Sequence, residues 1–110
     1  MDKINHVAKK QLPTIQAPEE VEAKEPIIVK IKVGGIDGIE HPNILGHWIN
    51  WVELYARDRL ISRFNFDPEM CNGYVVNLHI ALNETTTLRE RAFCNLHGVW
   101  EGKERKVIVQ

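Results

Sequence analysis

Two short segments of this 110-residue chain concentrate side chains that bind metal ions. Glu40-His41-Pro42-Asn43-Ile44-Leu45-Gly46-His47 places two imidazoles six positions apart, around a proline and a glycine. Cys94-Asn95-Leu96-His97-Gly98 is a C-x-x-H pair, and Gly98 lets the backbone turn away. A thiolate and an imidazole three positions apart can reach one ion across a tight turn. The thiolate is soft and imidazole is borderline, so the set suits iron, zinc or copper rather than magnesium or calcium. Either pair alone is a weak signal. Three histidines and one cysteine in two short loops of a small chain are a stronger one. A third, weaker stretch is Lys9-Lys10-Gln11-Leu12-Pro13.

These residues need rigid elements to bring them together. From Ile27 the chain reads as β-structure. Val29, Ile31 and Val33 alternate with Lys30 and Lys32, the pattern of a half-buried strand. Gly34-Gly35 stops it, and Asp37-Gly38 signals a turn. Trp48 to Ala56 has aromatics at helical spacing, yet its β-branched and aromatic content favours a strand buried on both faces. Leu60–Phe66 is a further strand, followed by a loop with Pro68 and Asn72-Gly73. Tyr74–Leu82 alternates, with Tyr74, Val76, Leu78, Ile80 and Leu82 on one face and Asn77, His79 and Asn83 on the other. Thr87–Cys94 turns Arg89 and Arg91 away from Leu88, Ala92 and Cys94. Lys106–Val109 is a last short strand. Closely spaced short strands predict an all-β sandwich. Residues 1–26 are polar and carry Pro13, Pro18 and Pro26, so they read as an extended arm with a short helical turn at Glu19–Ala23.

Composition excludes several classes. Apolar residues are 44% and charged residues 26% of the chain, which is globular rather than disordered. The net charge of -1 gives no support to broad nucleic-acid binding. No run approaches the roughly 18 apolar residues of a membrane span. Met1-Asp2-Lys3-Ile4-Asn5-His6 lacks the apolar core of a secretory signal. Cys71 and Cys94 therefore read as reduced thiols of a cytoplasmic protein, and the sequon Asn83-Glu84-Thr85 as chance.

Two longer motifs surround the metal-type residues. His41-Pro42-Asn43 leads through His47-Trp48-Ile49-Asn50-Trp51-Val52-Glu53-Leu54-Tyr55. Arg91-Ala92-Phe93-Cys94-Asn95-Leu96-His97-Gly98-Val99-Trp100-Glu101 follows at the expected distance. The pair resembles the superoxide reductases, the neelaredoxin and desulfoferrodoxin iron-binding family, and the match runs from Gln11 to Glu101. The resemblance implies a seven-stranded immunoglobulin-like β-sandwich with one mononuclear non-haem iron at its surface. In that family four histidines surround the iron and a cysteine thiolate binds axially. The position opposite the sulfur takes superoxide, which leaves as hydrogen peroxide after one electron and two protons. Carried over, His41, His47 and His97 become equatorial ligands and Cys94 the axial one. The resemblance further implies rubredoxin or a similar small electron donor, and a homo-oligomer, dimer or tetramer.

The third stretch departs from the family pattern E-K-H-[VL]-P-x-I. Lys9-Lys10-Gln11-Leu12-Pro13-Thr14-Ile15 keeps the proline and isoleucine. By resemblance Lys10 takes the catalytic lysine's place, drawing in superoxide and helping to donate a proton. Lys9 replaces the glutamate that closes the sixth position of the ferric state. Gln11 replaces the fourth equatorial histidine. An amide oxygen binds iron more weakly than imidazole does. Three outcomes stay open: Gln11 does not bind, it is a weak oxygen ligand, or another residue substitutes. His6 is the nearest substitute in sequence, although a solvated histidine is the preferred reading of it. His79 reads as a surface histidine and Cys71 as a semi-exposed loop thiol. Trp48, Trp51 and Trp100 read as packing. Asn95 is expected to support its loop, with its backbone N–H on the sulfur.

Two alternatives belong to other classes. Three histidines and a cysteine also satisfy a tetrahedral, non-catalytic zinc ion. The same sandwich could also serve only as a binding module.

Overall fold

A computed structural model describes residues 5–71 and 73–110 of the chain. Asn72, half of the expected Asn-Gly turn, lies outside the described residues. One helix, α1 (His6–Gln11), precedes nine strand segments: β1 (Pro13–Gln16), β2 (Glu20–Val21), β3 (Pro26–Val33), β4 (Ile49–Ala56), β5 (Arg59–Asn65), β6 (Val75–Ala81), β7 (Thr86–Cys94), β8 (Gly98–Glu101) and β9 (Arg105–Val109). One sheet has the order β1-β3-β6 and the other β2-β9-β7-β4-β5, with β8 added on β7. Setting aside the two-residue β2 and the β8 flap, seven strands form an immunoglobulin-like sandwich, three against four.

The alternation read in the sequence is the one that packs. Ile27, Val29, Ile31 and Val33 of β3 all point into the core, and Val29 and Val33 are wholly buried. They meet Ile49, Val52 and Leu54 of β4, Leu88 and Ala92 of β7, and Val107 of β9. Each such side chain contributes about 1.5–3 kcal/mol relative to an exposed position. In β4 three consecutive residues, Val52, Glu53 and Leu54, are buried. Glu53 tolerates this on the outer face because Arg63 and Arg91 cover it, at 2.6 and 3.0 Å. β7 carries one charge-type residue on its inward face: Glu90 is wholly buried between Leu88 and Ala92.

The N-terminal stretch differs from its expected form. No helical turn occurs at Glu19–Ala23; Glu20–Val21 is a strand segment parallel to β9, Glu20 opposite Ile108. Val21 is 5% exposed, so the segment gains core burial and sheet hydrogen bonds that one isolated turn of helix could not match. β1 pairs antiparallel with β3, Ile15 opposite Ile31. α1 lies upstream of both, in a place where no helix was expected. Its start is set by Asn5, whose side-chain oxygen accepts the Ala8 N–H at 2.8 Å.

Candidate metal centre

Three segments converge at one end of the sandwich. The first is the end of α1. It is seated on the turn after β3, where the Gly34 N–H donates to Leu12 O at 3.0 Å. Gly34 has φ +76°, and a Cβ there would stand 2.5 Å from the Lys10 carbonyl oxygen. Glycine is required on both counts. The Lys9 ammonium is held by Asp37 at 2.8 Å. Lys10 is half-buried, and Gln11 is wholly buried.

The second segment is the loop from His41 to His47. The Nδ1–H of His41 donates to Pro42 O at 2.6 Å, which leaves the Nε2 lone pair free. The Tyr74 hydroxyl lies 2.8 Å from the same carbonyl and 2.9 Å from Asn43 Oδ1. Asn43 Nδ2 donates to Cys71 O. Ile44 and His47 exchange backbone hydrogen bonds at 3.2 and 3.0 Å, closing the loop on itself.

The third segment is the β7–β8 turn. Cys94 pairs with Gly98, whose φ is +78°. Asn95 ties this turn to the second segment. Its Oδ1 accepts the Trp48 N–H and its Nδ2 donates to Gly46 O, both at 2.9 Å. The Asn95 backbone N–H donates to Trp48 O at 3.2 Å, not to the sulfur as expected. Two loops already bound by the Asn95 side chain bring that carbonyl closer to hand than the thiol. The Trp100 indole N–H caps the turn on His97 O at 3.1 Å.

The donor atoms of His41, His47 and Cys94 lie within 4.8 Å of one another. His41 Nε2 is 3.3 Å from Cys94 Sγ, and His97 Nδ1 is 3.6 Å from it. The rings of His41 and His47 stand edge to face with centroids 4.4 Å apart, and His47 and His97 are 5.1 Å apart. Gln11 Nε2 lies 3.2 Å from His97 Nδ1. The sulfur is wholly buried and His41 nearly so, His47 is half-buried, and His97 is exposed. The cluster is therefore a shallow well with thiol at its floor and imidazole at its rim.

Electrostatics prepare these side chains to bind a cation. Burial lowers the His41 pKa to about 4, and His47, His97 and Lys10 add to that against the opposing Pro42 hydrogen bond. Burial lowers His47 as well, followed by His97 and Lys10. Both rings are neutral at pH 7 and keep their lone pairs. The His47 Nε2 is buried with no hydrogen-bond partner among the described residues, and so is Gln11 Oε1. Buried polar atoms are rarely left so. A metal ion held by His41, His47 and Cys94, whose donor atoms meet, with His97 beside the sulfur, would satisfy the first directly, so the residues fit one.

The other candidates stand apart. His6 is exposed at the start of α1, and His79 is exposed on β6. Cys71 is half-buried, its sulfur accepting the Asp67 N–H at 3.2 Å. Trp51 stacks on Phe93 at 5.7 Å, with the Arg63 guanidinium 4.4 Å above its ring. The sequence reading did not find Tyr74 as a partner of the site. Its place in an alternating strand marks it as core, and nothing local marks where its hydroxyl points.

The sequence profile of the Desulfoferrodoxin family matches residues 3–103. A relative in Methanocaldococcus jannaschii, provisionally named a superoxide reductase, is 35% identical over 106 residues, covering 93% of this chain and 85% of that one. A superoxide reductase of Pyrococcus abyssi is 30% identical over 89 residues, covering 73% of this chain and 76% of that one. Among solved structures, the superoxide reductase (neelaredoxin) of Ignicoccus hospitalis superposes with a TM-score of 0.79 at 33% identity, covering 91% of this chain and 81% of that one.

Proposed function

Because this chain belongs to the desulfoferrodoxin family, we propose that it reduces superoxide by one electron to hydrogen peroxide at a single iron ion. The ion is held by His41, His47, His97 and Cys94. The observation that carries this reading is the meeting of His41, His47 and Cys94 donor atoms within 4.8 Å, in a chain of this family.

Iron, when bound, supplies the electron for the reduction. The chain's own residues do the rest. The pinned Nδ1–H of His41 fixes that ring's tautomer, so Nε2 alone faces the sulfur. Cys94, buried at the floor, would hold the ion through its thiolate and push electron density onto it. His97 at the exposed rim leaves room for a small anion to enter. Lys9 is engaged by Asp37, so Lys10 is the ammonium whose charge reaches His41 and His47. Lys10 draws in the superoxide anion and holds at Nζ a proton that the product needs. The reaction consumes one electron and two protons per superoxide, and a rubredoxin-like donor restores the electron.

The chain acts as one superoxide-reductase-like domain over residues 1–110, with the stretch 1–26 supplying Lys10 and Gln11. No helix among the described residues is long and apolar enough to cross a membrane. We place the protein in the cytoplasm, as a homo-oligomer.

The test is metal content after anaerobic purification, with visible spectra before and after mild oxidation. One iron per chain, a thiolate-to-iron band that Cys94→Ser abolishes, and superoxide-dependent peroxide formation are expected. Zinc alone, with no colour after iron reconstitution, would overturn the enzyme reading in favour of a closed structural site.

A further inference from the structure

We propose that Gln11 would complete the metal centre as a further donor, through its side-chain amide oxygen. This rests on the reading that His41, His47, His97 and Cys94 hold a metal ion.

Gln11 is 0% exposed at the end of α1, and its carbonyl Oε1 has no hydrogen-bond partner among the described residues. Leaving a buried amide acceptor unpaired is destabilising, a cost that an apolar side chain of similar size would avoid. The chain thus places a wholly buried amide directly beside a histidine of the cluster. The other amide atom, Nε2, lies 3.2 Å from His97 Nδ1. Two bonds of about 2.1 Å at right angles set neighbouring donors roughly 3.0 Å apart. The amide end therefore sits at the spacing of adjacent ligands on one ion.

The charge of the ion decides which amide atom faces it. Once His97 Nδ1 gives its lone pair to a cation, it can no longer accept an N–H. An N–H aimed at a cation is repelled, whereas the oxygen carries the negative end of the amide dipole. A half-turn about the last side-chain bond exchanges the two atoms without moving the backbone. That backbone is fixed at the next residue, by Leu12 N–H on Ala8 O at 2.9 Å and by Gly34 N–H on Leu12 O at 3.0 Å. The centre becomes one of three imidazoles, one thiolate and one neutral oxygen. It is a harder and weaker set than one with four imidazoles.

The probe is Co(II), titrated into the whole apo-protein and its variants by calorimetry and visible absorption. Wild-type protein is expected to bind one ion with a thiolate band and weak d–d bands, as a centre of more than four ligands does. Gln11→Leu should bind about tenfold or more weakly, with d–d bands that intensify as the ion falls to four ligands. Gln11→Glu, an anionic oxygen donor at the same reach, should bind more tightly than wild type. Equal affinity and identical spectra across all three proteins would overturn the role of Gln11 while leaving the metal site intact. Should Gln11→Leu fail to fold, Gln11→Glu decides alone, and unchanged affinity in it overturns the proposal. No cobalt binding by the wild-type protein would instead refute the underlying metal reading, and this proposal with it.

Discussion

The Tyr74 hydroxyl and the His41 Nδ1–H converge on one carbonyl oxygen, that of Pro42, at 2.8 and 2.6 Å. The tyrosine ring also stands edge-on to the imidazole, with centroids 5.5 Å apart. Tyr74 thus holds the carbonyl that orients the His41 ring, a proposed ligand. Outer partners of this kind are typically worth 10- to 100-fold in metal affinity. Tyr74→Phe keeps the ring and removes the hydroxyl. It is expected to weaken Co(II) or Fe(II) binding by about tenfold or more and to cost about 1–2 kcal/mol of stability. Metal titration and urea unfolding of the same preparation separate the two effects. Equal affinity in both proteins would contradict this positioning role.

Gly34→Ala tests the seat of α1. The new methyl meets the Lys10 carbonyl and forces a left-handed φ on a residue with a Cβ. A cost of about 1–3 kcal/mol is expected, together with displacement of Lys10 and Gln11. Superoxide reduction should fall more than tenfold while bound iron is partly retained. Thermal unfolding, iron content and initial rates measure these in turn. A variant with wild-type rates would show that α1 does not need this close approach.

Glu90 makes stability depend on pH. Burial raises its pKa from 4.5 to about 8, with Glu101 adding to the effect. Its two oxygens are buried without partners. The folded state therefore binds the proton more tightly than the unfolded chain. This contribution is complete below 4.5 and is lost as pH rises to about 8. The slope is at most about 1.4 kcal/mol per pH unit in that window. Glu90→Gln should flatten the profile and stabilise the protein more at pH 8 than at pH 5. Denaturant midpoints across that range give the answer, and parallel profiles would refute it.

Glu53 has the opposite sign. Burial pushes its pKa up, but hydrogen bonds from Arg63 and Arg91, with Tyr55, overcome that and leave it below 4.5. Its stabilisation is present above 4.5 and is lost as pH falls through the lowered value. Both guanidinium partners are more than one-third exposed, so solvent weakens the pairs. Glu53→Gln should cost about 1–2 kcal/mol at pH 7 and much less near pH 3. Unfolding curves at the two values would show whether the loss is pH-dependent.

Long alternating runs carried their own structure in the sequence. Val29, Ile31 and Val33 could sit only on one face of a strand, and the strand is there. The long His and Cys motifs were equally legible, because ligand types and turn residues stand close together. What was not legible lies across the chain. α1 forms because Asn5 caps it and Gly34 seats it, and Gly34 lies more than twenty residues downstream. Glu20–Val21 becomes a strand only because β9 offers an edge. The alternation puts Glu90 on the face of Leu88 and Ala92, but only the folded sheets show that this face is wholly buried there, opposite Leu54. Tyr74 read as core, and only the folded loop shows its hydroxyl reaching Pro42.

The contact between Gln11 and His97 spans 86 positions. During synthesis the ribosome releases α1 early, while Cys94 and His97 emerge only when nearly all of the described chain has been made. No partial product can present the full donor set. On the proposed reading the complete donor set exists only in the finished sandwich, so the folded cavity would hold an ion more tightly than the loose C-x-x-H pair alone.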